Sequence, residues 1–512
     1  MGYKIIELKL PTDYNEGSLR QIIATRLRLK EFTFQVEHKS LDARKKGNIH
    51  WLLRVAVHAQ DIGGGETSLS AKLAIPYKKR NKRILITGSG PAGFFAAMVL
   101  QEAGFETIIL ERGSEVNKRE EGIRNFEATG NFDPGANYSF GEGGAGTFSD
   151  GKLTSRTKHI SKEREYVLSS YVAAGAPAEI LYMAYPHVGS DNLKVVVQNL
   201  RAKYISLGGQ VKFETFLRDI DVLNGMVTKG STDDESIHAD YFIIAPGHSA
   251  YETYRMLMAR GVIFRTKNFA IGCRAEHTQQ VINMAQWGRE NLPGVKAAEY
   301  RLTSDADGRH PVYSFCMCPG GMVVPAATYK DMNIVNGMSN YQRGGRFANA
   351  ACVAGIHPDQ LAGRSAGSLE ALKWLEELER SFYTYTNTYR APFCTIDGFI
   401  KGEEPKSIPE TSYPLGLQPA PLWNMLPSVI THALRLGLAD FCRKIRGYES
   451  GILLGLESKT SSPIQVLREK SGLCQGFHNL YLAGEGSGYA GGIISSAADG
   501  IKTAFRIIER EQ

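Results

Sequence analysis

Apolar and polar residues alternate from Tyr3 to Leu8, and the following SLRQIIATRLRL spaces its apolar residues every three to four positions. The first pattern predicts a strand and the second a helix. EFTFQVEHKSLDARKKGNIHWLLRVAVHA then reads as two strands around a polar, Lys-rich turn, so the chain opens with a small α+β unit. The pattern changes at RILITGSGPAGFFAAMVLQEAGFETIILERG. An apolar strand from Arg83 to Thr87 meets a glycine turn, a helix from Pro91 to Ala103, a second apolar strand and an acidic residue. SDNLKVVVQNLRAKYISLGGQVKF predicts a helix into a strand, DIDVLNGMVTKG a hairpin, and IHADYFIIAPG a buried strand of the parallel type. NFAIGCRAEH and HPVYSFCMC follow as strands, and SLEALKWLEELERSFYTYT as an amphipathic helix. The last segment, NLYLAGEGSGYAGGIISSAADGIKTAFRIIER, returns to strand, glycine turn and helix.

These patterns predict a split α/β nucleotide-binding domain. Its first part covers 81–265 and its C-terminal part 446–512, with an inserted α+β domain over 266–445 and a small α+β domain over 1–80. The stretch DIGGGETS…PYKKRNK, with Lys78, Lys79, Arg80, Lys82 and Arg83, reads as a solvated linker.

Composition modifies this picture in one respect. The chain has 512 residues, 43% hydrophobic and 22% charged, which fits several globular domains. Glycine is in excess at 54 residues, clustered where backbone would approach a ligand. A net charge of +7 is explained by surface lysines as well as by a nucleic-acid partner, and we favour the surface. No apolar run reaches the roughly 18 residues a membrane span needs. The N-terminal MGYKIIELKLPTDYNEG has neither a secretory-leader pattern nor a myristoylation signal. Seven irregularly spaced cysteines then predict reduced thiols and a cytoplasmic protein.

Gly88, Gly90 and Gly93 form a GxGxxG between strand and helix, and Glu111 closes the next strand about twenty residues on. Gly88 permits the tight turn and Gly90 admits a pyrophosphate to the helix N-terminus. Gly93 allows close helix–strand packing, and Glu111 is expected to accept both ribose hydroxyls. Only one such fingerprint exists, so a second nucleotide domain is not expected. LAGEGSGYAGGI resembles the segment that flavoproteins place along the ribityl chain and pyrophosphate, with Glu485 between Gly484 and Gly486. The helix start at Gly491, Gly492 and Ile493 would aim N–H groups at the flavin pyrimidine. With IIAPG ending at Gly247, these segments predict noncovalent FAD.

At this point the chain resembles the bacterial FAD-dependent dehydrogenases labelled "NAD(FAD)-utilizing dehydrogenases". The resemblance lies in GSGPAGFFAA, GEGGAGTFSDGKLTSR, PHVGSDNL, IIAPGHSA, FAIGCRAEH, FCMCPGGMVVPA, VNGMSNYQR, ESKTSSP and LAGEGSGYAGGIISSAADGI. It implies a Rossmann-like FAD/NAD(P)-binding fold of the glutathione-reductase type, interrupted by a substrate domain. It also implies that Gly143, Gly144, Thr147, Asp150, Gly151 and Lys152 approach the cofactor, with Thr147 and Ser149 donating hydrogen bonds. Pro91, Ala92, Arg112 and Leu217 complete the expected cofactor set. NAD(P)H is weighed as reductant, without a visible site for it.

The catalytic candidates are Lys152, Cys316, Cys318, Thr460 and Ser461. Lys152 beside a flavin would bind an anionic substrate or stabilise reduced flavin; alternatively it forms a salt bridge. Thr460 and Ser461 in TSSP would bind substrate oxygens, on the resemblance alone. Cys316 and Cys318 in FCMCPGGM are expected to share a strand face, with Met317 opposite. They read as a thiol facing the flavin or as packing, not as zinc ligands, because no second ligand cluster accompanies them. His187, His248 and His277 could each move a proton or be structural. Arg274 and Glu276 are expected to pair with each other. Overall this predicts an oxidoreductase passing hydride between FAD and a small organic molecule. The alternatives are an RNA-modifying flavoprotein and a non-catalytic FAD module.

Overall fold

The computed structural model describes residues 2–63 and 72–512; the glycine-rich part of the expected linker lies outside the described residues. The N-terminal unit is a three-stranded antiparallel sheet of Gly2–Leu10, His50–Ala59 and Thr33–Asp42, with His50–Ala59 in the centre. Its alternating inward residues Leu8, Leu53, Val55 and Val57 pack with Leu19 and Ile23 of the helix Glu16–Leu27. That helix begins where the Asn15 side chain accepts the Ser18 N–H at 2.8 Å. The unit is docked rather than tethered, since Lys39 N donates to Tyr182 O (2.8 Å) and Ala184 N to Lys39 O (2.9 Å). The expected linker is tied down as well: Lys82 pairs with Asp240 (2.9 Å) and Arg83 with Glu106 (2.8 Å).

The nucleotide-binding core is a five-stranded parallel sheet in the order Leu480–Leu482, Tyr241–Ile244, Arg83–Thr87, Glu106–Leu110, Gln210–Lys212. Strand alternation sends Ile84 and Ile86 toward the helices Pro91–Glu102 and Ile493–Arg510, and Leu85 toward a small antiparallel layer over 219–238. The two helices touch so closely that a Cβ on Gly500 would lie 2.0 Å from Ala92 O.

The inserted domain is built on an eight-stranded sheet whose central strands are Val312–Pro325, Phe347–Ile356, Phe269–Thr278 and Ile452–Glu457. Helices Ser368–Thr386 and Ser428–Lys444 cover it through Leu372, Leu375, Leu434 and Leu438. Ile452–Glu457 belongs to this sheet, so the chain returns to the nucleotide domain after Glu457 and not at residue 446. The apolar run there reads equally well as a strand of either domain, and only pairing with Phe269–Thr278 assigns it. Among the described residues no helix is long and apolar enough to cross a membrane.

Candidate active site

Three backbone features converge on one groove at the carboxyl end of the parallel sheet, where such folds bind ligands. The first is the glycine turn. Gly88 has φ +97°, and a Cβ there would lie 2.2 Å from Ala245 O, so both conformation and space demand glycine. A Cβ on Gly93 would sit 2.0 Å from Gly88 O, which explains the close strand–helix approach. The second and third are the N-termini of the helices Pro91–Glu102 and Ile493–Arg510, opened by Gly90 and Gly492 with no side-chain cap on either. Uncapped N-termini carry orphan N–H groups and partial positive charge, which suits a pyrophosphate and a reduced, anionic ring. Gly144 lies against Gly90: a Cβ on Gly144 would meet Gly90 Cα at 3.0 Å. Gly484, with φ +76°, leaves room for Ala92, whose Cβ would be 2.5 Å from an added one. Gly247 and Gly492 face open space, and Gly491 nearly so.

Several expected contacts turn out to be internal. Glu111 is buried, and its carboxylate accepts Ser89 N (2.9 Å), Ser89 Oγ (2.8 Å), Gly113 N (2.9 Å) and Gly141 N (3.0 Å). Through these four donors Glu111 joins the glycine turn to the 113 and 141 loops. The Thr147 hydroxyl donates to Glu142 O (2.9 Å) and that of Ser149 to Gly146 O (2.7 Å), both within the loop. Asp150 is wholly buried and held by Arg343 (3.1 and 2.7 Å) and Ser339, which ties the 150 loop to the insertion. Gly151 packs on Leu193, and Leu217 lies in the core with Leu85 and Phe242. Arg112 pairs with Glu252 (3.0 Å) and stacks on Phe140 and Phe216.

A line of polar side chains runs from the groove into the insertion. His248 Nδ1 lies 3.4 Å from Glu485 Oε2, while its Nε2 is buried and without a hydrogen-bond partner among the described residues. Beyond it, Glu457 and Arg274 form a buried ion pair at 2.7 Å. Burial raises the Glu457 carboxyl's proton affinity, against the opposing pull of Arg274 and His248. Arg274 is satisfied by Asn349 Oδ1 (2.7 Å), Asn336 Oδ1 (3.2 Å) and Cys316 O (2.8 Å), and reaches Cys318 Sγ at 3.5 Å. The expected Arg274–Glu276 pair is therefore not formed. Glu276 instead takes Thr411 Oγ1 (2.7 Å) and Ser412 N (3.1 Å). Lys152 donates to Met317 O and lies 3.9 Å from Asp150 and 3.7 Å from Glu299, on the insertion side of the line. Thr460 is buried with an unpartnered Oγ1 among the described residues, while Ser461 is partly exposed.

The cysteine strand does not alternate as expected. Phe315 and Cys318 pair with Ala351 and Asn349, so one residue is extra, and Cys316 takes a left-handed φ of +45°. The bulge nonetheless turns Cys318 Sγ back onto Cys316, whose carbonyl it reaches at 3.3 Å.

Sequence reasoning passed over Arg119, Glu379 and Lys459. Arg119 is fully buried and donates to the carbonyls of Asn137, Tyr138, Glu142 and Gly144, which shapes the glycine loop. Lys459 pairs with Glu379 at 2.8 Å and donates to Tyr251 Oη at 2.6 Å. Each sits among other polar or charged residues, in VNKREEG, LEELER and LESKTS, so nothing in the local pattern marks it.

His187 and His277 each give one ring nitrogen to a backbone carbonyl. His187 Nε2 donates to Tyr341 O at 3.0 Å, and His277 Nε2 to Tyr448 O at 2.8 Å. Burial lowers both imidazoles to about 4. A histidine depressed below its ordinary value stabilises the fold fully above pH about 6.5 and loses that stabilisation as pH falls toward 4. Denaturant unfolding is expected to record a loss of up to about 3 kcal/mol from His187 across that window. His187→Gln should flatten the slope there.

The fold and groove thus define a dinucleotide-binding α/β protein with an inserted domain on a largely antiparallel sheet. Residues 268–460 match a family described as FAD-dependent protein, C-terminal domain-like, and residues 3–58 a domain of unknown function. An uncharacterized protein of Clostridium beijerinckii (strain ATCC 51743 / NCIMB 8052) is 37% identical over 532 residues, covering 100% of this chain and 99% of that protein. The chain belongs to one family with this Clostridium protein, its residues 268–460 match the FAD-dependent C-terminal domain, and its cofactor is FAD. Among solved structures, CtdE in complex with FAD is 12% identical, with 84% of each chain covered and a TM-score of 0.34. A geranylgeranyl bacteriochlorophyll reductase-like protein of Thermoplasma acidophilum is 15% identical, covering 84% of this chain and 78% of its own, with a TM-score of 0.34. Likenesses at these scores carry no argument about activity.

The groove fits FAD by its own features: two uncapped helix N-termini, glycines that open its walls, and the unpartnered His248 Nε2 and Thr460 Oγ1. Because the Gly500–Ala92 contact sets the distance between the two helices, Gly500→Val should cost about 1–3 kcal/mol in stability by overpacking. It should also weaken FAD binding, read by flavin titration, although Gly500 lies two turns from the groove.

Proposed function

We propose that the protein is an FAD-dependent oxidoreductase that passes hydride between noncovalently held FAD and a small organic substrate. In this reading the FAD domain is of the glutathione-reductase type and the antiparallel-sheet insertion forms the substrate side. The observation that carries it is the convergence of the two uncapped helix N-termini with the His248–Glu485 contact in one groove. When bound, FAD supplies the two-electron chemistry. The backbone N–H groups after Gly90 would hold its pyrophosphate, and those after Gly492 would favour negative charge placed beside them. His248 holds or delivers a proton at Nε2, with Glu485 orienting the ring through Nδ1. Thr460 Oγ1 offers a hydrogen bond to a substrate oxygen. Lys152 serves the insertion wall and not the flavin.

Seven unpaired cysteines agree with a reducing compartment, so we place the protein in the cytoplasm, with a small molecule and no nucleic acid as partner. The test is anaerobic: purified holoprotein is mixed with a metabolite panel, NADH and NADPH, and flavin absorbance is followed. Bleaching by an organic compound is expected. A protein that takes up FAD but is bleached by none of these would point instead to a non-catalytic FAD module.

A further inference from the structure

We propose that Cys316 and Cys318 are a redox-active dithiol that exchanges two electrons with small disulfide compounds. In a regular strand, residues two apart are separated by about 6.6 Å with parallel side chains, at the far end of what a disulfide spans. The extra residue between Phe315 and Cys318 and the left-handed Cys316 remove that obstacle. Cys318 Sγ donates to Cys316 O at 3.3 Å, so the second thiol turns back onto the residue that carries the first. A left-handed non-glycine residue of this kind is strained and persists only where its surroundings enforce it. Here the enforcing bonds are Arg274 to Cys316 O (2.8 Å) and Lys152 to Met317 O.

The two thiols are also unequal. Cys316 is partly exposed beside the 40%-exposed Phe315, whereas Cys318 is buried. Contact with Cys318, then the charges of Arg274 and Lys152, lower the Cys316 thiol to about 6. Cys318 is pushed the other way by its neighbour and by burial. A partly exposed thiol whose charged form is favoured by nearby cations, beside a fully buried one, matches the division of labour of an attacking and a resolving cysteine. Cys273, Cys352, Cys394 and Cys474 are buried, and Cys442 is partly exposed with its thiol raised to about 11.

The exchange balances without the flavin. The Cys316 thiolate attacks one sulfur of R–S–S–R, forming Cys316–S–S–R and releasing RS⁻, which takes a proton. Cys318 then gives its proton to solvent and attacks the Cys316 sulfur, forming the Cys316–Cys318 bond and releasing the second RS⁻, which is protonated in turn. The protein dithiol is oxidised by two electrons and the small disulfide is reduced to two thiols. This proposal does not rest on the hydride-transfer reading, because its test reads thiols and not flavin turnover.

Holoprotein is treated with hydroxyethyl disulfide, quenched with iodoacetamide, digested and examined by mass spectrometry. The expected result is an internal disulfide in the peptide carrying residues 312–325, with Cys442 alkylated normally. Cys318→Ser should trap the hydroxyethyl mixed disulfide on Cys316, with retained flavin absorbance reporting the fold. Wild-type protein alkylated at both Cys316 and Cys318 after treatment would overturn the proposal. So would a mixed disulfide found on Cys442 and not on Cys316; the wild-type arm requires no variant to fold.

Discussion

Arg274→Met is expected to destabilise the protein by about 3–5 kcal/mol, because it removes the cation from a buried pair and leaves Glu457 uncompensated. The guanidinium also supports Cys316 O and is held by Asn336 and Asn349, so four groups lose their partner at once. The penalty has a sign in pH. Burial already raises the Glu457 carboxyl, and losing Arg274 raises it further, so the charged form is most costly at neutral pH. As pH falls through the raised value, Glu457 takes a proton and the variant should regain stability relative to wild type. Denaturant unfolding across pH measures this. A second variant, Arg274→Met with Glu457→Leu, should recover much of the loss, since an apolar replacement of the whole pair removes the unpaired charge. Equal stability of single and double variants would mean the pair is not the source.

His248→Gln is expected to lower the rate of flavin reduction by about 100- to 10,000-fold while leaving FAD bound. The argument is geometric. Nδ1 is engaged by Glu485, and Nε2 is the buried nitrogen that no protein group among the described residues occupies. Glutamine keeps polarity and approximate size but cannot carry a proton. Stopped-flow reduction with the substrate found in the anaerobic screen gives the rate, and the flavin spectrum reports retained cofactor. Glu485→Gln should have a smaller effect and shift the pH profile of the same step, as expected of a residue that acts through His248. An unchanged rate in His248→Gln would remove the proton-transfer role.

Much of the nucleotide half was legible because its signals are local. Alternation, the GxGxxG spacing and the helix starts at Gly90 and Gly492 are properties of a few consecutive residues, and backbone sterics alone impose them. The helix Ser368–Thr386 was readable end to end from its apolar period. The return crossing was not, because an apolar run such as Ile452–Glu457 does not say which sheet it will join. Nor were the partners of the polar residues. Glu111, Thr147, Asp150 and Arg274 carry the right chemistry for a cofactor or for each other, and each was taken by a donor or acceptor far away in the chain or hidden within its own loop.

The amino-acid sequence by itself determined that this chain builds a split dinucleotide fold around glycines, since only glycine tolerates the φ of Gly88 and the contact with Ala245 O. Tertiary structure alone decided which charges were spent on architecture and which atoms stayed free. It turned Glu111 and Asp150 inward, paired Arg274 with Glu457, left His248 Nε2 unclaimed, and bent the FCMC strand until Cys318 Sγ reached the Cys316 carbonyl. The reason is that hydrogen bonds and ion pairs in a buried interior must be satisfied by whatever the packing brings within reach, and packing is long-range where periodicity is local.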